Sequence, residues 1–200
     1  LPPLQAVHVD HGLQPASAAW ARHCVAVCAE LDIPFTLLKV AAGAATGESP
    51  EDAARRARYR ALAEMTVPGD CLLTAHHQDD QAETVLLQLL RGGGPHGLAA
   101  MPAVAPFAAG RHARPLLPYG REALRCYAEE HALRWIDDPS NADRGFDRNY
   151  LRHTVMPVLS ERWLAAARVL ARGARHQAEA AQLLDELAAL DLAQCRGDHG

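Results

Sequence analysis

Along the first ninety residues, short apolar runs alternate with longer stretches of helical period. Leu4-Gln-Ala-Val-His-Val9 alternates and ends in Asp10-His11-Gly12, which predicts a strand running into a turn. Trp20, Cys24, Val27 and Leu31 then fall at helical spacing behind Ser17, a candidate cap, and Ile33-Pro34 stops the run. Phe35 to Val40 predicts a second strand, and Gly43 to Gly47 a loose loop. Ser49-Pro50-Glu51-Asp52 has a cap residue, a proline at the first helical position and an acid three residues after the cap, so a helix is expected to run to about Met65. Pro68-Gly69-Asp70 turns the chain into a third strand, Cys71 to Ala75. A third helix follows, ends at Arg91 and is stopped by Gly92-Gly93-Gly94.

Strands alternating with helices imply a parallel sheet with right-handed crossovers. Beyond it, Val104 to Phe107 and His112 to Leu117 flank Ala109-Gly110 as a hairpin. Arg121 to Leu133 is an amphipathic helix, Trp135-Ile136 a short extended piece, and Asp137 to Asn141 turn chemistry. Arg148 to Val155 is helical as far as Pro157, and no strand pattern returns after it. The expected fold is therefore α/β with an all-helical segment behind it, and the expected division is 1–156 and 157–200.

Composition narrows the class without naming a function. Apolar residues are 49% of the 200 and charged residues 22%, enough for a sizeable core and against global disorder. The net charge of −4 gives no overall pull toward nucleic acid, although a local basic patch is compatible with it. The five cysteines include no C-x-x-C pair, which suits a reducing cytosol, so a cytoplasmic location is expected. No apolar run approaches the length of a membrane span. The chain opens on Leu1-Pro-Pro-Leu without an initiator Met, and it is expected to be part of a longer protein.

The chemistry concentrates where the third strand meets the third helix, in Thr74-Ala-His-His-Gln-Asp-Asp-Gln-Ala-Glu-Thr84. Carboxyl ends of strands in open α/β sheets are where ligands bind. Asp80 and Glu83 lie three apart on one helical face. On a solvated helix such a pair costs a few tenths of a kcal/mol, and first-turn acids also complement the helix dipole. In a dry cleft the repulsion rises to roughly 3 kcal/mol, and a shared Mg²⁺ would relieve it. Asp10-His11-Gly12 ends the first strand in the matching position. The arginine-rich run Arg55 to Arg60 reads either as a solvated face or as a phosphate contact, and Arg91 to Gly94 either as an anion loop or as a helix stop. Neither a G-x-x-x-x-G-K-[ST] nor a G-x-G-x-x-G motif is present.

Taken in order, several separated motifs resemble one family, the tRNA(Ile)-lysidine synthetases, which are PP-loop ATP pyrophosphatases. The resemblance rests on His8-Val-Asp-His-Gly-Leu13, on Glu51…Arg55…Arg58-Tyr59, on the Thr74–Thr84 block and on Arg91-Gly-Gly-Gly94 with Gly97-Leu98. It continues through Arg114-Pro-Leu-Leu117, Trp135-Ile-Asp-Asp-Pro-Ser-Asn141 and Asp147-Arg-Asn149…Arg152. It implies a Rossmann-like (adenine nucleotide α-hydrolase-like) parallel sheet with flanking helices. It also implies a ligase that uses ATP to adenylate the wobble cytidine of an isoleucine tRNA with a CAU anticodon. Free lysine then attacks C2 to give lysidine.

By this resemblance Asp80 and Glu83 stand near Mg²⁺ and the reacting centre, the metal arriving transiently with ATP. Arg55 and Arg148 stand near phosphate or the adenylated cytosine. Asp10, His11, His76, His77, Arg91, Gly92, Gly94 and Asn149 contact ATP or substrate. A homodimer is among the assemblies it allows.

Two features depart from the family pattern. Its Ser-Gly-Gly-x-Asp-Ser loop, which belongs on a strand before Leu4, is not in the sequence, so residues 1–200 alone are expected to be inactive. Gly93 stands where serine is commonest, a mild change by sequence. Two other readings stay open at this point. One is a metal-dependent hydrolase with a dinuclear site drawn from His8, Asp10, His11, His76, His77, Asp79 and Asp80; the other is a non-catalytic RNA-binding module.

Overall fold

A computed structural model describes residues 3–12, 14–41, 43 and 50–197. The cap expected at Ser49, Leu13 of the first turn, the side chain of Glu51 and most of the 43–47 loop lie outside the described residues. The chain divides into two compact units. One holds the residues up to Leu72 together with Pro106–Arg111, the other Leu73–Ala105 and everything from His112 onward.

The first unit carries β1 (Ala6–Asp10), α1 (Ser17–Glu30), β2 (Phe35–Lys39) and α2 (Pro50–Met65). β1 and β2 pair in parallel, Ala6 opposite Phe35 through Asp10 opposite Lys39, the geometry expected of a β-α-β crossover. Ala21 and Cys28 of α1 and Ala53, Ala54 and Leu62 of α2 are its buried side chains. Ser17 does not cap α1. Ala16 holds the cap position without a side-chain bond, because the Ser17 hydroxyl is turned to the Asp10 carboxylate.

β3 (Cys71–Leu73) takes its backbone partner from the hairpin β4 (Val104–Phe107) and β5 (Gly110–Ala113), in the order β3-β5-β4. Arg111 N–H donates to Asp70 O and Thr74 N–H to Ala113 O, an ascending register that runs β5 parallel to β3. Among the described residues the strands form two sheets, β1-β2 and β3-β5-β4, and the β1–β2 and β3–β5 pairs are both parallel, as expected of the α/β class.

The second unit is mainly helical: α3 (Gln78–Leu90), α4 (Pro95–Leu98), α5 (Arg121–Glu130), a 3-10 turn at Pro139–Ala142, α6 (Asp147–Tyr150), α7 (Met156–Arg162) and α8 (Ala166–Gly197). Pro157 does not end a helix, contrary to expectation. It sits in the first turn of α7, where its missing N–H costs nothing, and a π-helical turn at Leu151–Val155 joins α6 to α7 ahead of it. α8 packs on α3 and α4, so the helical C-terminal segment shares its unit with Leu73–Ala105. Ala82 of α3 and Ala174 and Ala181 of α8 are buried, and residues this small let helices approach closely.

Ala174→Leu adds volume where there is none to spare. It is expected to lower the unfolding free energy by about 1–3 kcal/mol in urea titration. An unchanged urea midpoint would show that this helix contact is loose.

Candidate active site

His77 begins α3. Its Nδ1 accepts from Asp80 N–H at 3.4 Å, and Asp80 Oδ2 accepts from His77 N–H at 3.0 Å. This is a capping box made from imidazole and aspartate rather than serine and glutamate. It fixes the orientation of both side chains, and with Nδ1 accepting, neutral His77 carries its proton on Nε2.

One turn on, Glu83 is 2% exposed, the largest fully buried side chain among the described residues. Arg152 forks it, Nε to Oε1 at 2.7 Å and Nη2 to Oε2 at 2.9 Å, and Arg148 Nε donates to Oε2 at 2.8 Å. The same guanidiniums reach Asp80. Arg152 Nη2 lies 3.3 Å from Oδ1, and Arg148 Nη2 donates to the Asp80 carbonyl at 3.2 Å and to Thr84 Oγ1 at 3.3 Å. Burial works against the charge of Arg152, but the hydrogen bonds and charge of Glu83, then Asp80 and Asp79, outweigh it and raise its pKa above the ordinary guanidinium value. Two acids and two arginines form a neutral, close-packed cluster, the arrangement that lets a carboxylate leave water.

Arginines neutralise the two acids of the cluster. Each oxygen of Asp80 and Glu83 accepts a hydrogen bond from a guanidinium or a backbone N–H, and the Asp80 oxygens keep a further lone pair each. The donors of a dinuclear hydrolase are likewise engaged elsewhere: His77 and Asp80 in the cap, and Asp79 Oδ2 by Arg121 N–H at 2.8 Å. No group of three or more His, Cys, Asp or Glu side chains converges to hold a metal among the described residues.

The structure brings Asp80, Glu83 and Arg148 together and adds Arg152, which belongs to the Asp147-Arg-Asn149…Arg152 motif but carried no role by sequence. Its signal was the four-residue step from Arg148, which places both on one helical face. Asn149 is buried beside them, and its amide donates to Ser140 O and Asp143 O at 2.9 Å each. Those bonds tie the 139–143 turn to α6, a positioning task.

Arg91, Gly92 and Gly94 are not brought to the cluster. They follow the far end of the 13-residue α3, about 20 Å from its N-terminus at ~1.5 Å per residue. Gly92 has φ +73°, and Gly92 N–H and Gly93 N–H donate to Leu89 O and Gln88 O, a Schellman stop. A Cβ on Gly93 would meet Gln88 O at 2.9 Å, so a serine there requires a backbone shift and the exchange is not mild.

His76 ends a polar chain that starts on buried Arg114 and His112. Arg114 Nη2, an obligate donor, lies 3.1 Å from His112 Nδ1; His112 Nε2 lies 2.8 Å from Thr74 Oγ1; Thr74 Oγ1 lies 2.7 Å from His76 Nδ1. Read from the arginine outward, each proton has one direction, and neutral His76 presents Nε2–H.

Asp10, His11 and Arg55 belong to the first unit. Gly12 N–H donates to Asp10 Oδ1 at 2.8 Å and holds its carboxyl below the usual range. Arg55 lies 5.0 Å over the Tyr59 ring. Arg58, assigned no role by sequence, is the residue that reaches His11, with Nε 3.3 Å from His11 Nε2. His11 therefore carries its proton on Nδ1, and burial, reinforced by the Arg58 charge, pushes its pKa down from 6.5.

Two predictions follow from these geometries. Glu83→Ala leaves two arginines facing each other, both still partly solvated, and should cost about 2–4 kcal/mol of stability by denaturant unfolding. In NMR titration His11 should show a pKa below 6.5, and Arg58→Gln should raise it. Since the folded value is the lower one, the contribution of His11 to stability is present above pH ~6.5 and is lost as pH falls through the folded pKa. An unmoved His11 titration in Arg58→Gln would remove the arginine from that explanation.

Comparison with known proteins places the chain. It is 56% identical over 192 residues to the tRNA(Ile)-lysidine synthase of Alkalilimnicola ehrlichii, which covers 96% of this chain and 43% of the relative. It is 53% identical over 196 residues to that of Pseudomonas aeruginosa, covering 98% of this chain and 44% of the relative. The chain spans less than half the length of these curated relatives. Among solved structures, the U34-tRNA thiolase NcsA of Methanococcus maripaludis matches with a TM-score of 0.70 at 17% identity, covering 88% of this chain and 62% of that one, which shows the shared fold. The family model described as the PP-loop domain matches residues 1–159, and the chain belongs to that family.

Proposed function

We propose that the protein carrying this chain uses ATP to modify a tRNA. In the finer reading, it ligates lysine to C2 of the wobble cytidine of an isoleucine tRNA with a CAU anticodon. The observation that carries the reading is the cluster at the start of α3, in which buried Glu83 orients two arginines beside Asp80. The likeness to tRNA(Ile)-lysidine synthases supports the choice of substrate.

The reaction needs fixed positive charge and an acceptor for a proton. In the first step the cytosine O2 attacks the α-phosphorus of ATP, and pyrophosphate leaves with the bonding pair. Negative charge grows on the transferring phosphate, where preoriented guanidiniums are most effective. Arg148 suits this task. Its Nε and Nη2 are held by Glu83, Thr84 and the Asp80 carbonyl, its side chain is a quarter exposed, and Nη1 makes no bond among the described residues.

In the second step the neutral lysine amine attacks C2, the C2–O bond breaks, and AMP leaves with its electrons. The amine gives up a proton. Asp80 accepts from a backbone N–H and from Arg152 but keeps carboxylate lone pairs for a third donor, so it can orient the amine and take that proton. His76 and His77, both fixed with Nε2–H in the neutral state, are assigned to substrate contact, as are Asp10, His11 and Arg55 on the first unit. ATP brings Mg²⁺ on its phosphates, and no step is assigned to the ion. The chain spans less than half the length of its curated relatives, so the activity is assigned to the whole protein.

In the full-length protein, Asp80→Asn is expected to lower lysidine formation on a CAU-anticodon isoleucine tRNA by about 10²-fold or more. Mass spectrometry of the digested tRNA and tRNA-dependent ATP–pyrophosphate exchange both read it. Product formation within twofold of wild type would remove Asp80 from the chemistry. A wild-type protein that forms no lysine adduct would remove the finer reading.

A further inference from the structure

α8 carries its charges in the wrong order for a helix. Arg168, Arg172, Arg175 and His176 fall in its N-terminal part with no acid in the first turn, while Glu179, Asp185, Glu186 and Asp191 follow toward the C-terminus. The helix dipole favours the opposite order. Arg168 and Arg172 are four apart and Arg172 and Arg175 three apart, so neighbours on the helix surface repel as well. All three are exposed and form no ion pair among the described residues. Other arginines of the same unit do find acids, as Arg125 does with Glu129 and Arg148 and Arg152 do with Glu83.

The stripe faces solvent because the opposite side of α8 is committed: Ala166, Ala174 and Ala181 are buried. Immediately before the helix, Trp163 is 61% exposed and Leu164 94% exposed. An exposed indole beside a cationic row is the combination that holds nucleic acid, the row on phosphates and the ring on an unstacked base. The net charge of −4 makes this a local device rather than a bulk property.

We propose that Arg168, Arg172 and Arg175, with Trp163 at their end, form an RNA-backbone contact surface that holds the tRNA outside the reacting cluster. The assignment rests on the tRNA substrate proposed above. One anionic polymer relieves the two like-charge contacts and the dipole mismatch together, which single surface acids at these positions do not provide. Arginine suits the role because its planar fork pairs with phosphate in two directions.

The test uses the full-length protein and a tRNA transcript. The triple variant Arg168→Gln, Arg172→Gln, Arg175→Gln should bind tRNA at least about tenfold more weakly at low salt. The slope of log affinity against log salt should shrink by about 2–3, the share of three phosphate contacts. Its thermal midpoint should be unchanged or higher, since repulsion is removed. Trp163→Ala should weaken binding about tenfold at constant slope.

Unchanged affinity and slope in the triple variant would overturn the proposal. So would a variant that loses binding of poly-glutamate but keeps that of tRNA, which would assign the stripe to an acidic protein. A wild-type protein that binds no tRNA would instead sink the functional reading, so the two failures are separable.

Discussion

A carboxylate with almost no contact with water holds the second unit in its working form. Glu83 lies on α3, while the groups that make its burial tolerable lie on the helix that starts at Asp147. An uncompensated charge in that position would cost several kcal/mol. The guanidinium pair cancels this cost only when both helices are in place. The pairing thereby makes the position of Arg148 and Arg152 conditional on the fold of α3, and it leaves Arg148 with one end fixed and the other available. Arg148 sits on α6 and Arg152 on the π-helical turn that continues it, and the amide of Asn149 ties α6 to the 139–143 turn.

The same economy governs the histidines. None of the three candidate imidazoles floats in a polar pocket. His77 is locked by a backbone amide, His76 by a hydroxyl at the end of a chain that begins on Arg114, and His11 by Arg58. In each case the partner dictates which ring nitrogen carries the proton. Arginine cannot accept a hydrogen bond, so it sets the polarity of everything bonded to it. Two of the three locks start on an arginine, which gives this arginine-rich composition a physical use beyond surface charge.

α3 also separates tasks. Its N-terminal end carries the acid–arginine cluster, and its C-terminal end carries a Schellman stop built on Gly92 and Gly93. Chain geometry requires glycine at both positions: the backbone is left-handed at Gly92, and Gln88 O approaches Gly93 closely. α8 covers α3 with small buried residues and turns its arginines outward, so one helix serves the core on one side and a polyanion on the other.

Much of this was legible in the sequence by itself. Hydrophobic period and turn residues located α1, α2, α3 and the β4–β5 hairpin to within a few residues, because those signals act between near neighbours. The three-residue step from Asp80 to Glu83 marked the acidic half of the cluster for the same reason, since it puts both side chains on one helical face. What the sequence could not decide was pairing at a distance. That β3 would join the hairpin, that Glu83 would be forked by Arg152, and that Arg58 would reach His11 all depend on contacts 38 to 69 residues apart in the chain. Local propensity carries no information on such contacts. They are selected by which buried polar groups can be satisfied together, and that choice exists only once the tertiary structure has formed.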